Sequence, residues 1–305
     1  MKAFRLNQWG KALELEQIPK PEPKDDEVLV RVHAASINPF DAALQAGYLQ
    51  SMAKTPLTMG VDFAGVVEAV GSKVKHVKPG DAVYGLNPLG AGTFAEYTIA
   101  KEHEVSHKPK SLDYARAAAL PLPTMAAWKS LFELLQVKKG ERLLIHGAAG
   151  NVGGLAVELA KAEGAFVYGT DIPEKGEHAR ELGVDKFISN QERFEDVVKD
   201  VDAVLDLVGG EMMERSYNVL RSGGRYVTSL LGETPQEEPL RRGIRSMGLA
   251  AWPDAGILRK MAERIDSGKV RVFVNRTFPL DEVNAAMAYR LETKAPGKVV
   301  LTVIS

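Results

Sequence analysis

Gly147, Gly150 and Gly153 recur at every third position in RLLIHGAAGNVGGLAVELAKAEGAFVYGTD, after an apolar run and at the opening of a helical one. Glycine in these places permits a tight turn and a close approach of backbone to a pyrophosphate. The start of the helix adds unpaired N–H donors and the positive end of its dipole. Ala148, Ala149, Asn151 and Val152 complete this candidate dinucleotide turn. Asp171 lies about 18 residues past Gly153, at the end of the next strand, where an acid accepts hydrogen bonds from ribose hydroxyls. A carboxylate there repels a 2′-phosphate and favours NAD(H), while Lys175 offers NADP(H) a counter-charge. The alternative for Asp171 is a cap before Pro173. DLVGG, Asp206 to Gly210, closes a later strand, and ligands of open α/β sheets sit beyond the carboxyl ends of strands. Val208 and Gly209 are therefore candidates for the nicotinamide side. His146 ends the first strand and is read as a packing residue.

A second pattern, HEVSH (His103 to His107), matches the H-E-x-x-H of zinc peptidases. On a helix both histidines would share a face for Zn²⁺, and Glu104 would activate the bound water. The setting is not helical. GTFAEYTIA before it reads as strand, Pro109 disfavours helix after it, and no amphipathic period surrounds it. A strand or loop with surface histidines and no metal is expected.

The texture of the chain predicts the elements that must hold these residues. Over roughly the first hundred residues, EVLVRVHAASIN, MGVDFAGVVEAVG and AVYGL are separated by Gly and Pro, which predicts short strands in a barrel-like fold. SLDYARAAALPLPTMAAWKSLFELLQ predicts helix, a Pro-interrupted link and helix. From Arg142 strands and helices alternate. RLLIHG, AFVYGTD, DKFIS, DAVLDLVGG, RYVTSL and IRSMGLAA are expected strands, and EMMERSYNVLRSGG and AGILRKMAERIDSGK are among the helices. This alternation implies βαβ units in a doubly wound parallel sheet, an α/β fold.

A length of 305 residues suggests about two domains. Net charge of −1 gives no bias towards nucleic acid or membrane. Cysteine is absent, which removes disulfides, thiolate catalysis and cysteine-ligated metals. No signal-like or membrane-length apolar run stands in the sequence, so a cytoplasmic location is the expectation.

The segments AASINPFD (34–41), MGVDFAGVVEAVGSKV (59–74), GDAVYG (80–85), GTFAEY (92–97), AAALPLPTMAAW (117–128), HGAAGNVG (146–153), DLVGG (206–210), SGKV (267–270) and GKVVLTV (297–303) occur in this order. Together they resemble the medium-chain dehydrogenase/reductase superfamily, and within it the zeta-crystallin-like quinone oxidoreductase branch that lacks zinc. The resemblance implies a GroES-like catalytic and substrate domain over 1–116 plus 270–305, and a Rossmann dinucleotide-binding domain over 117–269. It implies that Asn38 and Tyr48 face the nicotinamide as hydrogen-bond donors and that Asp41 organises their loop. Where zinc enzymes of the superfamily carry ligands, this chain has Asn38, Val61 and, near the last, Leu122. The family often has a Thr beside the nicotinamide; here Ala126 matches it, with Thr124 nearby. Many members of the branch use NADPH, whereas Asp171 points to NADH. A zinc-independent NAD(P)H-dependent reductase of quinones or enones, as a homodimer, is the implied function. The competing class is a nucleotide-binding protein with little turnover, such as a redox-sensing, structural or RNA-binding relative. Its local support is the basic run Arg241-Arg242-Gly243-Ile244-Arg245.

Overall fold

The computed structural model describes residues 1–87, 91–229 and 237–303. They form two compact units. One comprises Met1–Leu122, Trp252–Thr293 and the C-terminal residues from Gly297; the other comprises Pro123–Ala251 with Lys294–Pro296.

The second unit is built on β1 (Arg142–His146), β2 (Phe166–Asp171), β3 (Lys186–Ser189), β4 (Val201–Asp206), β5 (Leu220–Thr228) and β6 (Arg245–Gly248). All pairings are parallel, in the order β3-β2-β1-β4-β5-β6. This is the doubly wound Rossmann order, and the winding reverses between β1 and β4. Leu143, Leu144 and Ile145 of β1 are all fully buried, so the apolar run is covered on both faces, as a central parallel strand requires. The helix expected across EMMERSYNVLRSGG is shorter, Glu211–Tyr217, and β5 takes up RSGG. Gly223 adopts φ 75°, which no helix tolerates. Leu230, the end of the expected strand RYVTSL, lies outside the described residues.

The first unit carries a mainly antiparallel sheet centred on the strand Glu27–Ser36. Its full length pairs with Asp62–Val70, its first half with Tyr97–Lys101, and its last residues with the C-terminal strand Lys298–Thr302. One strand serving three neighbours bends the sheet around a core that includes Val30, Val32, Met59, Phe63, Phe94 and Val299. HEVSH is split between a 3-10 turn, Glu102–Glu104, and a strand, Val105–His107. The two histidines therefore share no helix face, and His107 Nε2 contacts Asp81 Oδ2 at 3.2 Å. Among the described residues no helix is long and apolar enough to cross a membrane.

The boundaries fall elsewhere than the sequence suggested. The units divide after Leu122 and after Ala251 rather than after residues 116 and 269. The helix Ala255–Asp266 belongs to the first unit because it is fastened there at both ends. Tyr84 Oη donates to the Leu258 carbonyl at 2.6 Å, and the Asp266 carboxylate accepts from Lys110 N, Ser111 N and Ser111 Oγ. The expected break near the prolines is present, between the helices Tyr114–Ala118 and Pro121–Trp128. Pro121 and Pro123 lie in the first turn of the helix Pro121–Trp128, where no backbone donor is needed.

Candidate active site

β1 ends at His146 and the chain turns at Gly147 with φ 76°, a conformation that disfavours a side chain. The helix Asn151–Ala162 then starts at Gly150, with no side-chain cap. The N–H groups of Asn151, Val152 and Gly153 are thus first-turn donors left without an internal partner. The three glycines are not equivalent. A Cβ on Gly150 would lie 3.2 Å from the Gly147 carbonyl oxygen, but one on Gly153 would lie 2.1 Å from it. Gly153 lets the helix pack directly under the turn. Gly169 of β2, which sequence reading passed over, does the same from the other side, since its Cβ would meet Ala148 Cβ at 2.7 Å. The cradle fits a dinucleotide pyrophosphate: donors converge on it and side chains are absent where backbone must be approached.

Asp171 stands at the end of β2 beside this turn. Its Oδ2 accepts from Ala149 N at 3.0 Å and its Oδ1 from Ile172 N at 2.9 Å. Lys175 Nζ lies 3.5 Å from Oδ1. The carboxylate thus pins the turn and neutralises the lysine at once. Arg180 lies over the Phe187 ring.

At the end of β4, Asp206 is fully buried. Its Oδ1 accepts from Val208 N and Gly209 N at 2.9 and 2.8 Å, and its Oδ2 accepts from Tyr226 Oη at 2.6 Å. Asp206 therefore shapes the turn that presents Val208, which is 53% exposed. His146 is buried between Thr170 Oγ1 and Ser216 Oγ at 2.8 and 2.9 Å. Ser216 Oγ donates to the Met212 carbonyl, so the hydroxyl accepts from His146 Nε2–H. Burial holds the imidazole neutral, with its pKa down at about 4. It packs the strand end, as expected. Thr124 is fully buried and its Oγ1 meets no partner.

In the first unit, Asn38 and Tyr48 have opposite settings. Tyr48 is 83% exposed. Asn38 is buried and both ends of its amide are engaged. Its Nδ2 donates to Asp62 Oδ2 at 2.9 Å, and its Oδ1 accepts from Lys298 Nζ. Asp62 also accepts from Ser36 Oγ at 2.8 Å and from Leu122 N at 2.8 Å. Lys298 Nζ lies 3.6 Å from Asp62 Oδ2, and burial lowers its pKa against the pull of Asp62 and Asp41. Asp41 accepts from Asn38 N at 2.7 Å through Oδ2, while its Oδ1 has no partner. Lys298 thus pairs with Asp62 in a buried cluster in which Asp41 feels the ammonium only through space. Burial, with the Asp62 charge adding to it, pushes the Asp41 carboxyl up to about 7. Lys298 was legible only as part of an apolar strand, so its role was not foreseen.

Two outcomes follow from this geometry. Gly153→Ala should lower dinucleotide affinity at least about tenfold with the fold retained, because the turn must shift to clear the Cβ. Fluorescence titration with NADH and NADPH, alongside circular dichroism, reads this; unchanged affinity in a folded variant would remove the turn from the site. The second outcome concerns pH. A carboxyl whose pKa rises on folding favours the fold when protonated. The contribution of Asp41 is therefore complete below about pH 4 and lost as pH rises to about 7. Across that window, denaturant titrations should show wild type losing about 2–4 kcal/mol relative to Asp41→Asn. A pH-independent difference would mean that Asp41 is ionised throughout.

Comparison with known proteins agrees with this architecture. Residues 24–110 match the alcohol dehydrogenase GroES-like domain, and residues 182–301 match the zinc-binding dehydrogenase model. The metal in that second description has no ligand set here: among the described residues no group of three or more His, Cys, Asp or Glu is placed to hold one. The NADPH-dependent alkenal/one oxidoreductase of Arabidopsis thaliana is 36% identical, over 99% of this chain and 79% of its own length. The 2-methylene-furan-3-one reductase of Solanum lycopersicum is also 36% identical, over 99% and 79%. The structure of the quinone oxidoreductase from Coxiella burnetii superposes with a TM-score of 0.89 at 31% identity, covering 100% of this chain and 99% of that one. With a matching fold and relatives 36% identical over 99% of this chain and 79% of their own length, this chain belongs to the zinc-independent, zeta-crystallin-like quinone oxidoreductase branch of the medium-chain dehydrogenase/reductase superfamily.

Proposed function

We propose that this chain reduces quinones or the activated C=C bond of enones with NAD(P)H, by direct hydride transfer and without zinc. The observation that carries the reading is the uncapped helix N-terminus at Gly150, packed under its turn through Gly153, where a Cβ would lie 2.1 Å from the Gly147 carbonyl oxygen. Gly147 to Gly153 hold the pyrophosphate, Asp171 and Lys175 the adenine ribose, and Val208 and Gly209 border the nicotinamide. When bound, the dinucleotide supplies a hydride from nicotinamide C4. The protein's part is to position the acceptor and to stabilise charge growing on its oxygen. Tyr48, which is exposed, is assigned the role of donor to that oxygen. Asn38 is assigned a positioning role, since its amide is already committed to Asp62 and Lys298. Thr124 does not present its hydroxyl to solvent and is assigned no carboxamide contact.

An RNA-binding reading is not favoured. Arg241 and Arg242 pair with Glu237 and Glu238, Arg242 also reaches Asn218 Oδ1, and Arg245 donates to the Leu134 carbonyl. The run presents little unmatched charge to a phosphate backbone.

Oxidation of NADH or NADPH by a panel of quinones and enones tests the function. Turnover is expected with at least one class, and Tyr48→Phe should lower kcat by about tenfold or more. No turnover with any acceptor despite tight dinucleotide binding would favour the sensor class instead. Cofactor choice is proposed as dual, leaning to NADH. Asp171 adds negative charge near a 2′-phosphate, and Lys175 offsets it. Asp171→Asn should keep an acceptor for the turn while moving preference towards NADPH by about tenfold, equivalent to about 1.4 kcal/mol. An unchanged NADH-to-NADPH affinity ratio would reduce Asp171 to a turn anchor.

A further inference from the structure

Under the dinucleotide turn, Thr170 of β2, His146 of β1 and Asp206 of β4 stand side by side at the carboxyl ends of three neighbouring strands, and all three are buried. The sheet's winding reverses between β1 and β4. The helix Asn151–Ala162 accordingly packs on β1 and β2, and the helix Glu211–Tyr217 on β4 and β5. The His146 side chain crosses that reversal. Its Nδ1 lies 2.8 Å from Thr170 Oγ1 and its Nε2 2.9 Å from Ser216 Oγ. Ser216 Oγ donates to the Met212 carbonyl at 2.6 Å, which puts the ring proton on Nε2 and leaves Nδ1 to accept from the Thr170 hydroxyl. Burial keeps the ring neutral, so the tautomer and not a charge carries the connection. The resulting series, Thr170 to His146 to Ser216 to Met212, runs in one direction. Its two ends are the two turns of the candidate site. Thr170 precedes Asp171, which accepts from Ala149 N at 3.0 Å. Met212 N donates to the Gly209 carbonyl at 3.3 Å. Gly209 and Gly210 hold φ 74° and 63°, so this second turn is made of weakly restrained residues and depends on its anchors. The ring is held from the side by Phe194, edge to face at 4.8 Å between centres, and Arg215 covers Phe194 while Glu195 grips its guanidinium through both oxygens.

We propose that His146 is a positioning residue for the cofactor: through Ser216 it holds the turn of Val208 and Gly209 at a fixed spacing from the Asp171 turn, so that one dinucleotide reaches both. That Val208 and Gly209 border the nicotinamide rests on the function proposed above; the hydrogen-bonded series does not. A residue of this kind acts by orienting the groups that touch the ligand. The nicotinamide end of the cofactor should therefore depend on His146. The adenosine end should not, because Asp171 pins Ala149 without it. A histidine that only filled space would affect both ends alike, through stability.

Calorimetric titration with NADH and with ADP-ribose, which lacks only the nicotinamide, tests this in wild type, His146→Leu, His146→Gln and Ser216→Ala. His146→Leu and Ser216→Ala should each lose about fivefold to tenfold in NADH affinity, the scale of one hydrogen bond, and less than about twofold for ADP-ribose. The Gln amide offers one donor and one acceptor, so His146→Gln should recover most of the loss. If His146→Leu does not fold, Ser216→Ala carries the comparison, since it removes a single oxygen. Nitrogen NMR with ring-labelled histidine should find the His146 proton on Nε2; a proton on Nδ1 would overturn the series. Equal losses for both ligands, or no loss in either variant, would reduce His146 to packing. Failure of the reductase reading has a different signature: no acceptor is turned over, while the selective loss of NADH affinity persists. A wild type that binds neither ligand would overturn the dinucleotide site and this proposal with it.

Discussion

Lys298 brings a positive charge into a place with almost no water, 2% exposed, and the first unit is arranged around keeping it there. An ammonium so buried is tolerable only when protein oxygens replace its hydration and an opposite charge stands close. Asn38 Oδ1 and the Asp62 carboxylate meet that demand. The consequence is topological. Lys298 arrives on the last strand of the chain, whose neighbours Val300 and Leu301 pair with Ser36 and Ala35. Asp62 opens the next strand and reaches Leu122 N, so the cluster ties the chain's end to residues 36–41, 62 and 122. Removing one partner would leave a buried charge uncompensated, a penalty of about 3–5 kcal/mol, which is a large part of the stability of any domain.

The second unit solves a related problem with backbone rather than with a counter-ion. Turns at the carboxyl ends of β2 and β4 must hold one shape while leaving helix donors free. Asp171 and Asp206 do the holding, each accepting two backbone N–H groups. Carboxylates placed directly at the uncapped helix start would have occupied the donors at Asn151 to Gly153. Placed beside it, they stiffen the turns and leave those donors open. Asp171 consequently has a structural task that is independent of which nucleotide binds.

Much of this was legible in the chain because it depends on local pattern. Period-three glycines after an apolar run could only be a strand–turn–helix unit, and the βαβ alternation gave the parallel sheet. What escaped depends on contacts between residues far apart in sequence. Asp62 and Lys298 are separated by the whole second unit, and nothing in GKVVLTV marks its lysine as buried. The helix Ala255–Asp266 continues the alternation perfectly well, and only Tyr84 and the 110–111 loop show that it packs elsewhere. Asn38 was singled out as a donor facing the nicotinamide. Its donor is instead spent on Asp62, a partner that is invisible from AASINPFD alone.

The commitment of Asn38 limits what chemistry the site can support. Its amide is bound at both ends, and the ammonium of Lys298 that it meets is buried, 2% exposed. In the proposed reaction, stabilisation of a developing anion falls to the Tyr48 phenol, and a single such donor contributes about 2.7–4 kcal/mol at best. An alkoxide localised on one oxygen needs more than that, which zinc supplies as a Lewis acid in the metal-dependent relatives. An enolate or a hydroquinone anion needs less, because conjugation already spreads its charge. In the proposed reaction a preference for conjugated acceptors follows from how the buried lysine is held, because the Asn38 amide is spent on keeping the cation in place.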